Sequence, residues 1–302
     1  MNTATAKRLF GINAFVAWLG YGMVQVVNIF GLVPRSTPYD PSSNLFGGHA
    51  EGLAGAIGRV FDSHGYFTTW SNIVVAITLT ALYLNPERTG RIFNRLRNTG
   101  LLMITMTMVL YHLLLAGVAN PESWYAVTNL LQHYITPVLT ILVWVIAGPR
   151  GRFPFSDTFT VFIIPIAYLA YTLVHGAIAS VYPYGFFDVI TYGYASVLTL
   201  MLGVIVAGYV VALIFFGVGK LRGQEQSFQE VSGRKNAPGK HSRTAKTLGL
   251  IGIAIPVLAI VGVVFAAFAM SNDEEGAGFA LVLTLAVALV NSLALSLALG
   301  IL

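Results

Sequence analysis

The sequence predicts an all-α polytopic membrane protein of eight transmembrane helices, a six-helix core followed by a two-helix C-terminal appendage, with both termini cytoplasmic. Three observations predict it. Hydrophobic residues fill 56% of the 302 positions and charged residues only 10%, at a mean hydropathy of +0.75. Soluble domains carry roughly a quarter charged residues. The apolar residues also lie in runs of the length that spans hydrocarbon as a helix, about 20 residues. The basic residues sit in short gaps between those runs, so a pI near 9.4 points to membrane topology and not to nucleic acid.

The runs fall at about 9–33, 67–84, 99–118, 128–147, 159–179, 195–219, 248–270 and 279–301. The first reaches residue 33, too far for a cleaved leader, and predicts a span that stays. Segment 34–66 is the long external loop, and its part HAEGLAGAIGRVF (49–61) has the spacing of a short amphipathic helix lying at the interface. The second run opens on FTTWSN and the fourth on NLLQHYITPV, while the fifth closes on YLAYTLVHGAIA. After the sixth run comes a polar, basic stretch, KLRGQEQSFQEVSGRKNAPGKHSRTAK (220–246), a flexible cytoplasmic linker in touch with anionic headgroups. Runs seven and eight are plain Ala/Leu/Val/Gly helices. The division is therefore a core at 1–220, a linker at 221–247 and an appendage at 248–302. An even number of spans puts both termini on one side. With that side cytoplasmic, 15 of the 17 Lys and Arg residues lie inside and only Arg35 and Arg59 outside. The expected location is the plasma (cytoplasmic) membrane.

Depth sorts the polar residues. His133 lies about five residues into the fourth span, roughly 8 Å at 1.5 Å per residue. His112 near the end of the third span and His175 in the last turn of the fifth share that level, as do Thr68, Thr69, Ser71 and Asn72 at the start of the second. Asn129, His133, Thr136 and Thr140 follow at i, i+4, i+7 and i+11, a single helical stripe. Tyr168, Tyr171, Thr172 and His175 form another. Polar stripes on membrane helices face the bundle interior or a wet cavity. A single Thr in such a helix more often bonds its own backbone or a neighbouring helix. Three histidines and a threonine cluster at one depth point instead to an outward-opening polar pocket.

Those residue types suit acyl transfer. A threonine hydroxyl becomes a nucleophile when an adjacent imidazole takes its proton. The imidazole titrates in the right range for this. Asn72, Asn129 or a tyrosine can supply oxyanion donors. His175 and Asp188 can orient the base or position substrate. The absence of cysteine removes disulfides, thiolate nucleophiles and Cys-ligated metals. No G-x-S-x-G, H-E-x-x-H or P-loop motif occurs. Two alternatives use the same histidines. His112 and His133 could ligate a haem as an electron carrier, or His112, His133 and His175 a hydrolytic zinc. A transporter is weaker, since Pro137 and Pro165 do not form the paired helix breaks that such folds use.

Three segments, YFTTWSNIVVA (66–76), NLLQHYITPVLTIL (129–142) and YLAYTLVHGAIASVYPYGFFDV (168–189), resemble the androgen-induced-protein family of multipass membrane hydrolases and its bacterial relatives. The resemblance covers the six-span core. It implies a threonine-dependent hydrolase of fatty acid esters of hydroxy fatty acids, without a cofactor, acting on a lipid ester in the bilayer and not on nucleic acid. It places the catalytic threonine on Thr69, which precedes Trp70, with Thr68 as the alternative register, and the catalytic histidine on His133, four after Asn129. His175, Tyr182–Pro183 and Asp188 match its third motif. Two departures stand out: Leu130 occupies the place of a second histidine, and runs seven and eight have no counterpart.

Overall fold

The computed structural model describes residues 3–32, 49, 52–117, 119, 121, 123–148 and 153–232, with side chains to residue 221. Among these residues the secondary structure is helical, without a strand, and six stretches are long and apolar enough to cross a membrane. They are α1 (Thr3–Phe30), α3 (Phe67–Leu84), Arg91–Leu115, Ser123–Ala147, Asp157–Ala179 and Val189–Leu221. The expected spans at 248–270 and 279–301 lie outside the described residues. A short 3-10 turn (Gly52–Gly55) and α2 (Ala56–Ser63) occupy the segment expected to hold a short amphipathic helix. Every span but the second starts earlier than its apolar run. Helical hydrogen bonding continues through polar residues, so Lys7, Arg8, Arg91, Arg95 and Arg97 ride in the first two turns.

Local chemistry sets several ends. Asn85 ends α3 in an extended conformation, as a residue preceding proline prefers. Its side-chain oxygen accepts the Glu87 amide at 3.1 Å. α4 (Arg91–Leu110) follows Gly90, whose φ of 144° only glycine adopts readily. α8 (Ile163–Ala179), preceded by the short α7 (Asp157–Thr160), ends at Ser180, which is left-handed with φ 59°. Asp188 caps α9 (Val189–Ser232), its Oδ1 accepting the Ile190 amide at 2.9 Å and the Thr191 amide at 3.3 Å.

Two spans contain π-turns. α4 runs on through Tyr111–Leu115, and α5 (Ser123–Leu130) joins α6 (Thr136–Ala147) through Leu131–Ile135. Pro137 explains the second. It has no N–H for the carbonyl four residues back, and a wider turn ahead of it relieves the ring's clash with that carbonyl.

By contacts the chain forms two compact units, Met1–Pro149 with Phe159–Leu202, and Arg150–Thr158 with Gly203–Leu302. In the second, Phe153 meets Phe215 and Phe155 meets Phe216, with ring centroids 6.4 and 5.5 Å apart. In the first, α1 lies on α3, α3 on α4, and α6 against α1 and α4. Their core joins Phe10, Ala14, Ala17, Val75, Ala76, Leu79, Leu82, Ile104 and Val143. The alanines let backbones approach closely, as apolar burial alone does little between helices in lipid. Polar bonds then lock the register: Asn13 Nδ2 donates to Thr140 Oγ1 at 3.2 Å and Ser71 shares a bond with Thr107 at 2.8 Å. A second cluster holds Tyr168, Tyr182, Phe187, Val197 and Met201. Large apolar side chains such as Phe15 and Ile178 point outward, 67% and 81% exposed, as a lipid-facing surface requires.

Gly176 decides how closely α8 approaches the segment after it. A Cβ there would lie 1.9 Å from Cε1 of Tyr182, whose ring is fully buried. Gly176→Ala is expected to cost about 1–3 kcal/mol through overpacking, read as a lower unfolding temperature in detergent. Gly185→Ala, where a Cβ meets nothing, is the control.

Candidate active site

The turn before α3 is built by its own helix. The carbonyls of Ser63, His64 and Gly65 accept bonds from Thr69 Oγ1 at 2.5 Å, Trp70 Nε1 at 2.7 Å and Tyr168 Oη at 3.1 Å. Edge-on ring contacts of Tyr168 with Phe67 and Trp70 hold α8 against the same turn. Behind it, Arg59 donates to the carbonyls of Asn28 at 2.6 Å and Ile29 at 3.2 Å, and to that of Gly52. A cation there complements the end of α1. The Thr69 hydroxyl is thus directed to the turn, and the neighbouring Thr68, about 100° around the helix, faces the fourth span.

Thr68 Oγ1 lies 3.0 Å from His133 Nε2. His133 Nδ1 lies 3.2 Å from the Asn129 carbonyl. A carbonyl only accepts, so Nδ1 carries a proton, and in the neutral ring Nε2 is then the acceptor facing the Thr68 hydroxyl. That is the tautomer of a general base. Both residues are 9% exposed, so the contact is shielded. Tyr111 stacks on the imidazole with centroids 3.9 Å apart, and its hydroxyl accepts from Asn129 Nδ2 at 2.7 Å. Asn129 therefore orients the ring twice, through its own carbonyl and through the stacked tyrosine. The two π-turns contribute Tyr111 and His133 respectively, and π-turns recur at functional sites.

The amides expected as oxyanion donors bond within the protein. Asn72 Nδ2 donates to the Thr68 carbonyl at 2.8 Å and the Gln132 carbonyl at 3.4 Å. Asn129 Nδ2 serves Tyr111. Tyr184, which the sequence did not single out by number, has its hydroxyl near the Thr68 side chain and the backbone amides of Phe67 and Thr68. Burial pushes its phenol up to about 12 against the lowering effect of those polar neighbours, so it stays neutral in ordinary buffers. Tyr111 was missed as well. Its position beside His112 was a signal, but stacking across helices leaves no mark in one chain.

The remaining expected residues make contacts of their own. His112 Nδ1 bonds the Tyr134 hydroxyl at 3.2 Å. His175 sits by Tyr171, with ring centroids 5.6 Å apart, and near enough to Asp62 to lower that carboxyl's pKa. Burial is the larger effect on Asp62 and raises it overall, despite a 2.6 Å contact with His49. Asp188 caps α9, with Oδ2 also accepting from Thr191 Oγ1 at 2.5 Å. Among the described residues no group of three or more His, Cys, Asp or Glu side chains is arranged to hold a metal ion, so the three histidines do not meet as a ligand set. No protein-family model matches the chain, and neither a curated protein nor a solved structure does so.

Asp188→Ala is expected to cost about 1 kcal/mol through the lost cap, measured by thermal unfolding. In a tyrosinate absorbance titration, the component that disappears in Tyr184→Phe is expected near pH 12. Because this phenol is raised in the folded state, its stabilising contribution is complete below the ordinary tyrosine value near 10 and fades as pH climbs through 12.

Proposed function

We propose that the chain is an intramembrane lipid-ester hydrolase in which Thr68 is the nucleophile and His133 the base. The observation that carries this reading is the 3.0 Å contact between Thr68 Oγ1 and His133 Nε2, with His133 Nδ1 tied to the Asn129 carbonyl. A base hydrogen-bonded to the nucleophile and itself oriented by a third group is the arrangement that activates a hydroxyl. The resemblance to the androgen-induced-protein family supports the same chemistry and the same histidine. Of the two threonines in that motif, Thr69 is engaged with the Ser63 carbonyl and Thr68 is the one His133 reaches.

In the proposed cycle Thr68 Oγ attacks the ester carbonyl while its proton passes to His133 Nε2. The tetrahedral oxyanion takes a hydrogen bond from the neutral Tyr184 phenol. Collapse breaks the C–O bond to the leaving alcohol, which receives the proton from His133 and departs, leaving the acyl group on Thr68. Water then reverses the sequence. The substrate class is an ester whose acyl chain remains among lipids. The basic residues favour cytoplasmic termini in the plasma (cytoplasmic) membrane, which sets the pair toward the outer leaflet. The bilayer is then the partner, and neither a cofactor nor nucleic acid is required.

A fluorophosphonate probe is expected to label the purified protein. Thr68→Val and His133→Ala should each slow labelling by about 100-fold or more. Thr69→Val should keep labelling while lowering stability by about 1–3 kcal/mol, since it leaves the buried Ser63 carbonyl without its donor. Loss of labelling in Thr69→Val but not in Thr68→Val would transfer the role to Thr69.

A further inference from the structure

Within one turn of the pair along the same helices, three buried polar groups make no hydrogen bond: Asn72 Oδ1, Gln132 Nε2 and Thr136 Oγ1. Their side chains are 0%, 5% and 0% exposed. They lie on adjoining stretches of α3 and the fourth span. The Asn72 amide lies against residue 132, with Nδ2 3.4 Å from that carbonyl. Gln132 and Thr136 are four residues apart, with the close of the π-turn between them. The facing side of α1 is kept small. Ala17 is fully buried, and a Cβ on Gly20 would meet Leu131 Cβ at 3.3 Å and Gln132 Cγ at 3.4 Å.

The three groups are complementary. Asn72 offers an acceptor, Gln132 a two-hydrogen donor and Thr136 a hydroxyl that does either. A water molecule needs two to four such partners and commonly makes about three bonds. Left unpaired in a hydrocarbon setting, each group is costly, and lipid supplies no solvent to relieve it. These stretches also adjoin the proposed catalytic pair: Gln132 is covalently next to His133, and Asn72 holds the Thr68 carbonyl at 2.8 Å.

We propose that Asn72, Gln132 and Thr136 hold the water that releases the acyl group from Thr68; this rests on the hydrolase reading above. The water oxygen attacks the acyl carbonyl carbon and gives one proton to His133 Nε2. Collapse breaks the bond to Thr68 Oγ, which takes that proton back from His133, and the product leaves as a carboxylic acid. Gln132 and Thr136 are positioning residues here. They orient the water and do not touch the ester.

The test separates acylation from release. A p-nitrophenyl fatty ester is mixed rapidly with the purified full chain in detergent. Wild type is expected to give a burst of nitrophenol and then steady turnover. Gln132→Met and Thr136→Val should keep the burst rate within twofold and lower the steady rate tenfold or more. Hydroxylamine, which attacks the acyl-enzyme without that water, should restore release in both variants. Steady turnover within twofold of wild type in both variants overturns the proposal. So does an equal loss of burst and steady rates that hydroxylamine does not mend. Thr136→Val is close to isosteric, so it carries the test if Gln132→Met does not fold. A wild type with neither burst nor probe labelling sinks the hydrolase reading itself, a result distinct from a variant that acylates and turns over normally.

Discussion

The bond from His133 Nδ1–H to the Asn129 carbonyl is the interaction on which the rest of the site depends. It is an i to i+4 contact within one span, yet it fixes the tautomer, and the tautomer decides whether Nε2 accepts from Thr68 or competes with it. Helix geometry alone would not hold the ring still. Tyr111 does so from the neighbouring span by stacking, and Asn129 fastens Tyr111 in turn. Both spans widen into π-turns at that level. A buried imidazole in lipid must find every partner inside the protein.

The same constraint explains why the turn before α3 is so heavily bonded. Three successive carbonyls, Ser63 to Gly65, would otherwise be unmatched at the head of a membrane helix. Thr69 and Trp70 turn back to serve two of them, and Tyr168 crosses from α8 to serve the third. The threonine left over, Thr68, is the one presented to His133. The pairing therefore follows from where the backbone needed donors.

Much of the fold was legible because hydrocarbon thickness imposes a length and composition on each span, and hydropathy reads both. The level shared by Thr68 and His133 was legible too, since rise per residue is constant in a helix. What escaped was rotation. Thr68 and Thr69 differ by about 100° around α3, and both are polar, so no periodicity chose between them. The π-turns insert a residue without altering hydropathy; Pro137 was the lone hint, and Tyr111–Leu115 has none. Asp188 shows a different ambiguity. An acid after a turn and before an apolar run is written identically whether it orients a catalytic group or caps a helix, and here its oxygens go to Ile190 and Thr191.

The π-turns also bear on how the protein moves. A π-turn interrupts the regular ladder of the α-helix around it, and the two here carry Tyr111 and His133. Openings of low free energy concentrate in such places. The two spans would then loosen first at the level of the proposed chemistry, while the Ala-lined contact of α1 with α3 stays closed. A bulky acyl chain needs room near Thr68 only briefly. A local breathing of two helices at one level would admit it sideways from the lipid without any domain having to swing.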